Sequence, residues 1–286
     1  MAPKTYATLI SAQDLARHYQ QPDWTVIDCR FSLADPEQGE HDYSAGHIPG
    51  PFYAHIDRDL SPPVVPGKTG RHPLPSVEDF AERLACWGVT PATQVVSYDG
   101  GDASIAGRLW WMLRWVGHDP VAVLDGGWRA WRDARFPTET ASPAAQALPP
   151  YPVRPKDSMV VGREELREGL DRDGLRLIDA RAAERFSGEL EPIDPVAGHI
   201  RGAVNRPYSA NLEASGLFRP PAELRSEIEQ LLRKSPASDA ICYCGSGVTA
   251  AHHVLAFAHA GLPLPRLYAG SWSEWITDPD APMQTA

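Results

Sequence analysis

The chain is short of cysteine, of positive charge and of long apolar runs, and each shortage closes off a class of protein. Four cysteines in 286 residues, Cys29, Cys86, Cys242 and Cys244, are too few for a disulfide framework, and a reducing compartment would keep them as thiols. Cys242 and Cys244 form one C-x-C without a second Cys or His pair at ligand spacing, so no metal site is expected. Lys and Arg number 27 against 37 Asp and Glu, a formal net charge of -10, and no basic block stands out. That balance argues against nucleic acid or an anionic membrane as the main partner, while a local basic pocket stays open. No apolar run approaches the ~20 residues of a membrane span. The opening MAPKTYATLISAQDLARHY lacks the charged start, apolar middle and small-residue cleavage site of a signal peptide. The expected location is cytoplasmic.

With 43% hydrophobic and 22% charged residues, the chain can bury a substantial core and is long enough for two domains. It also repeats itself. WTVIDCR at 24–30 recurs as LRLIDAR at 175–181, GHIPG at 46–50 as GHIRG at 198–202, and LDGGWRAW at 124–131 as YAGSWSEW at 268–275. Three ordered matches, each displaced by about half the chain, predict duplicated domains rather than a short-repeat solenoid. Residues 138–156, TETASPAAQALPPYPVRPK, are rich in Pro, Ala and Thr and read as a connector. The expected division is 1–137, a linker at 138–156, and 157–286.

Short apolar strands are expected at 25–27, 94–98 and 121–124, and again at 175–178, 240–243 and 266–268, alternating with helical patterns. Ser11 before Leu15 and Ser76 before Phe80 have the form of helix caps. Alternation of this kind predicts an α/β fold, a parallel sheet in each half with helices on both faces and ligands at the carboxyl ends of the strands.

Cys244 falls at such an end, in ICYCGSGVTAA. A buried strand at 240–243 and a helix over 248–260 leave residues 244–247 to turn the chain. Gly245 and Gly247 let successive N–H groups point into one concavity, and the helix adds its positive end, an arrangement that stabilises a sulfur anion or a persulfide. A buried structural cysteine is the alternative. The matching stretch of the first half has Asp99 in place of the cysteine, so that half should lack the nucleophile.

The two related halves, their Gly-His-Ile-x-Gly turns, their Gly-x-Trp-x-x-Trp ends and the CGSGVT loop resemble the tandem-domain rhodanese family of sulfurtransferases, from about Leu9 to Ile276. CGSGVT is the loop associated in that family with 3-mercaptopyruvate as donor, whereas thiosulfate users typically carry basic residues, as in CRKGVT. A thiosulfate head is dianionic and a loop Lys or Arg would neutralise it; this loop has none. The resemblance implies two rhodanese-like domains, no cofactor and no metal. It also implies a Cys244 persulfide loaded by a small-molecule donor with release of pyruvate, and unloaded onto a thiol acceptor such as thioredoxin or onto cyanide.

The resemblance also assigns roles. Arg185 matches the arginine that grips the donor carboxylate, and Gly245, Gly247, Val248 and Thr249 belong to the substrate-binding loop. Ser246 could bond the donor carbonyl or relay its proton. His72 and Asp57 match partners of that serine in an Asp–His–Ser relay; both lie in the first half, so they serve only if the halves face each other. The family's second carboxylate-binding arginine is replaced by Ile193, and Arg201, which stands where proline is usual, is a possible substitute. Asp28, Arg30, Asp179 and Arg181 read as structural ion pairs, and Cys242 as a buried thiol. A thiosulfate:cyanide sulfurtransferase on the same fold, a Cys-x5-Arg phosphatase and a non-enzymatic persulfide carrier are the rivals. Ala250 stands where the phosphatase arginine would be, and a carrier has little use for Arg185 and Ser246.

Overall fold

The computed structural model describes residues 5–50, 52–144 and 148–285; the first four residues of the opening segment, the last residue and residues 145–147 of the expected connector lie outside the described residues. Two compact units emerge. The first comprises the chain up to Ser61, Pro75–Lys156 and Ala214–Leu217, the second Pro62–Leu74, Asp157–Glu213 and the chain from Phe218 onward.

In the first unit, strands β1 (Leu9–Ile10), β2 (Trp24–Asp28), β3 (Phe52–Tyr53), β4 (Gln94–Tyr98) and β5 (Val121–Leu124) form a sheet of order β1-β5-β4-β2-β3. Every pairing is parallel. Helices α1 (Ala12–His18), α2 (Gln38–Ala45), α3 (Val77–Cys86), α4 (Ser104–Trp115) and α5 (Gly127–Asp133) complete it. Ser11 and Ser76 cap α1 and α3 through their side-chain oxygens, as their spacing predicts. Central strand β4 is buried along its whole length, its apolar Val95, Val96 and Tyr98 accompanied by two buried polar residues, Gln94 and Ser97. Val96 and Tyr98 face a core shared with Leu15 of α1 and Trp131 of α5, whereas Ser97 points the other way and donates to the Ala106 carbonyl of α4 at 3.0 Å. Helices therefore cover both faces.

The second unit repeats the plan. Strands β6 (Arg176–Asp179), β7 (His199–Ile200), β8 (Val204–Asn205), β9 (Ala240–Tyr243), β10 (Arg266–Leu267) and β11 (Met283–Gln284) accompany helices α6 (Arg163–Gly169), α7 (Ala183–Ser187), α8 (Pro221–Leu232), α9 (Val248–His259) and α10 (Ser271–Trp275). The parallel sheet runs β10-β9-β6-β8, and β7 pairs antiparallel with β11. Ile241 and Tyr243 share a core with Leu166, Trp272 and Trp275.

The repeated Asp-x-Arg pairs do the same work in each unit. Arg30 clasps Asp28 at 2.6 Å and donates to the Gly46 carbonyl at 2.8 Å; Arg181 clasps Asp179 at 2.6 Å and donates to the Gly198 carbonyl at 2.7 Å. Each buried guanidinium thus ties a strand end to its own Gly-His-Ile turn.

The division expected from the sequence needs correcting in two places. Residues of the expected connector lie on the first unit, where the Tyr151, Arg154 and Lys156 amides donate to the carbonyls of Ala81, Val116 and Trp115. Pro62–Leu74, from the first half of the sequence, belongs to the second unit. Among the described residues no helix is long and apolar enough to cross a membrane.

Candidate active site

Strand β9 ends at Tyr243 and helix α9 begins at Val248, so the four residues between them must reverse the backbone within one turn. Gly247 makes that turn with φ +78°, and a Cβ there would lie 2.3 Å from the Ala269 carbonyl oxygen. Its N–H donates to Cys244 Sγ at 3.1 Å. Val248 and Thr249 open the 12-residue α9, whose positive end lies just beyond the sulfur-binding amide. Cys244 is 2% exposed.

A second loop braces the first. Ser271 Oγ accepts from the Cys244 amide at 3.1 Å and donates to the Tyr268 carbonyl at 2.9 Å, while the Trp272 and Ser273 amides donate to the Cys244 and Gly245 carbonyls. Ser271 holds φ 56°, left-handed for a residue with a side chain. Its place inside the repeated Gly-x-Trp-x-x-Trp motif was the available signal, and that motif reads from sequence as packing alone.

Ser246 and His72 meet: Nδ1 and Oγ are 2.7 Å apart and both residues are buried. The histidine reaches the loop because Pro62–Leu74 is part of the second unit. Asp57 belongs to the first unit, where its amide donates to His55 Nδ1 at 3.1 Å.

Arg185 arrives from α7 and Arg71 from the residue before His72. A Cβ on Gly245 would lie 2.8 Å from Arg71 Nη2 and 3.5 Å from Arg185 Nη1, so two guanidiniums flank the loop beside Cys244. Arg185 donates through Nε to Glu191 at 3.0 and 3.1 Å and through Nη2 to Asp194 Oδ2 at 2.9 Å. Arg71 Nη1 donates to Asp194 Oδ1, which leaves Nε buried without a partner among the described residues. Burial raises the Glu191 carboxyl, but hydrogen bonds from Arg185 and from the Asp194 and Ile193 amides outweigh it and hold the group below the usual carboxylate range. Burial is the larger influence on Asp194 and lifts it, against the pull of Arg71 and Arg185.

Ile193 is exposed, and a second guanidinium beside the loop comes instead from Arg71, in a segment more than a hundred residues away. Arg201 does not do so, since it pairs with Asp171 at the surface. Cys242 is fully buried and its thiol is pushed up by that burial and by Cys244, as befits a structural residue.

The first unit shows what its version of the loop holds. Asp99 accepts from the Gly101 and Ala103 amides through Oδ1 and from the Ile105 and Ala106 amides through Oδ2, all at 3.0–3.1 Å. Its own carboxylate fills the amide cradle, so this copy offers no nucleophile.

Comparison with known proteins agrees with the geometry. The model of the rhodanese-like domain matches twice, over residues 11–134 and 162–278. The chain is 48% identical over 282 residues to a probable 3-mercaptopyruvate sulfurtransferase of Pseudomonas aeruginosa, covering 98% of both chains. It is 36% identical to a putative thiosulfate sulfurtransferase of Mycobacterium tuberculosis, covering 96% of both. Among solved structures, the 3-mercaptopyruvate sulfurtransferase of Leishmania major superposes with a TM-score of 0.84 at 30% identity, over 96% of this chain and 75% of that one.

Proposed function

The chain belongs to the rhodanese family, and from that premise we propose that it is a sulfurtransferase that takes sulfur from 3-mercaptopyruvate through a persulfide on Cys244. The observation that carries this reading is the convergence, within one unit, of an amide-bound thiol, a Ser246–His72 pair and two guanidiniums beside Gly245. That set suits a small donor with a carboxylate, a carbonyl and a sulfur in line.

Arg71 Nη2 and Arg185 Nη1, the guanidinium atoms beside Gly245, receive the donor carboxylate. The Cys244 thiolate attacks the donor sulfur. A sulfur–sulfur bond forms, the carbon–sulfur bond breaks, and its electron pair passes to carbon as the enolate of pyruvate. Ser246 bonds that enolate oxygen, and the Ser246–His72 pair relays the proton of the new persulfide to the enolate carbon. The persulfide anion stays in the amide cradle until a nucleophile takes its outer sulfur. Cyanide leaves as thiocyanate and restores the thiolate; a dithiol such as reduced thioredoxin takes the sulfur and closes to a disulfide as sulfide departs.

Donor choice is the part kinship alone does not decide, because relatives named for both donors are similar over nearly the whole chain. Steady-state assays with mercaptopyruvate and thiosulfate as donors, and with cyanide and dithiols as acceptors, test it. A clear excess of kcat/KM for mercaptopyruvate supports the reading. A preference for thiosulfate overturns the donor but leaves the sulfur transfer; no turnover of either donor overturns both.

A further inference from the structure

Two arginines beside the nucleophile should make the site a good host for a dianion, so the absence of basic residues from the loop cannot by itself explain a preference for a monocarboxylate. The charges around the loop are balanced. Arg71, Arg181 and Arg185 are matched by Asp179, Glu191 and Asp194, each in contact with at least one of them. Asp194 is the member that touches both arginines at the loop: Oδ1 takes Arg71 Nη1 and Oδ2 takes Arg185 Nη2. Its side chain is 3% exposed, and its amide is held by Glu191 Oε1 at 3.1 Å. A carboxylate so placed cannot swing away to make room for an incoming anion without breaking two charged hydrogen bonds.

We infer that Asp194 determines donor specificity, positioning Arg71 and Arg185 while cancelling one of their charges, so that the site accepts a monoanionic donor and disfavours a dianionic one. The inference rests on the preceding reading that these arginines receive the donor. Asp194 never touches substrate; it acts through the edges it leaves open. With Arg71 Nη1 engaged, Nη2 is the atom turned to the loop, while Nε is buried without a partner among the described residues. The cluster is neutral as it stands, so one bound carboxylate gives it a single negative charge and a dianion would give it two. The second charge of thiosulfate meets the fixed charge of Asp194 at close range, in surroundings too dry to screen it well.

The test compares Asp194→Asn, Asp194→Glu and the unaltered protein by the ratio of kcat/KM for thiosulfate to kcat/KM for mercaptopyruvate. Removing a unit charge a few ångströms from the extra negative charge should raise that ratio at least about tenfold in Asp194→Asn. Asp194→Glu keeps the charge and should keep the ratio. Alkylation of Cys244 by iodoacetamide should proceed at the same rate in all three, which separates an effect on donor binding from a collapsed loop. A second measurement needs no variant: pyruvate should compete with mercaptopyruvate at least about tenfold better than sulfate does at constant ionic strength. An unchanged or lowered ratio in Asp194→Asn, or sulfate competing as well as pyruvate, overturns the role of Asp194. If the unaltered protein turns over mercaptopyruvate and needs Arg71 and Arg185, that result leaves the functional reading standing; if it prefers thiosulfate, the donor assigned by that reading falls.

Discussion

His72 Nδ1 lies 2.7 Å from Ser246 Oγ although 174 residues separate them. The distance is that of a strong hydrogen bond between two buried groups, one of them carried into the second unit by Pro62–Leu74. Ser246→Ala and His72→Gln should each lower kcat on mercaptopyruvate by about 10²-fold, with the donor KM little changed. As members of one relay they should be non-additive, the double variant losing little more than either single one. Losses that multiply in steady-state kinetics would separate the two residues.

Arg71 and Arg185 should behave alike towards the donor. Loss of a charge-assisted contact costs about 1.5–3 kcal/mol, so Arg71→Ala should lower kcat/KM for mercaptopyruvate roughly 10- to 150-fold, and Arg71→Lys should recover only part. Arg185→Lys is the better variant at the second position, because Arg185→Ala would strand Glu191 and Asp194, two carboxylates each only 3% exposed. Wild-type turnover in Arg71→Ala would remove that residue from the site.

The two loop glycines should respond differently to one added methyl. In Gly245→Ala the new Cβ meets Arg71 Nη2, the far end of a flexible side chain, so the fold should hold while the donor KM rises. In Gly247→Ala it meets the Ala269 carbonyl at 2.3 Å, with φ at +78°, and the backbone itself must move. A loss of about 1–3 kcal/mol in stability is expected there, together with loss of the amide bond to Cys244. Thermal melts and donor kinetics on the two variants check both halves of this contrast.

Much of this was legible because it is local. Central strands such as 94–98 and 240–243 announce themselves by short clusters rich in Val, Ile and Tyr, Ser11 and Ser76 by cap spacing, and the Asp28–Arg30 and Asp179–Arg181 pairs by repetition. Two-residue edge strands such as Leu9–Ile10 and Val204–Asn205 are too short to carry a period and exist only because neighbours pair with them. In the site, the nucleophile, the cradle and the absence of a counterpart at Asp99 followed from one loop and its copy. Arg71 did not, because its role depends on Asp194, which is 123 residues away and fixed by tertiary contact. Ser271 was hidden because its contribution is a strained backbone and a hydroxyl inside a motif dominated by tryptophan.

Buried neutral histidines should make the protein acid-sensitive. Burial lowers His118 to about 4 and His253 to about 3, below the unperturbed value near 6.5. The unfolded chain therefore binds more protons than the folded one at these sites, and their contribution is complete above about pH 6.5 and fades as the pH falls towards those lower values. Asp99, raised to about 6 by burial and by Asp102, acts in the opposite sense over part of the window. The histidine contributions exceed that of Asp99 throughout, so the net expectation is a decline that sets in near pH 6.5 and continues at about 1–2 kcal/mol per pH unit down to pH 5. Urea unfolding between pH 7 and 5 measures it, and a flat profile, or NMR titration of both imidazoles near 6.5, would contradict the burial assigned to them.

The central claim is that sulfur passes through Cys244 alone, since only the second unit places a cysteine in the amide-lined loop while Asp99 closes the first. The direct measurement is peptide mass spectrometry of protein incubated with mercaptopyruvate and freed of excess donor. One added sulfur atom is expected, on the peptide containing Cys244, released by cyanide and absent from Cys244→Ser. A stable persulfide on Cys29, Cys86 or Cys242 with Cys244 unmodified would contradict the account.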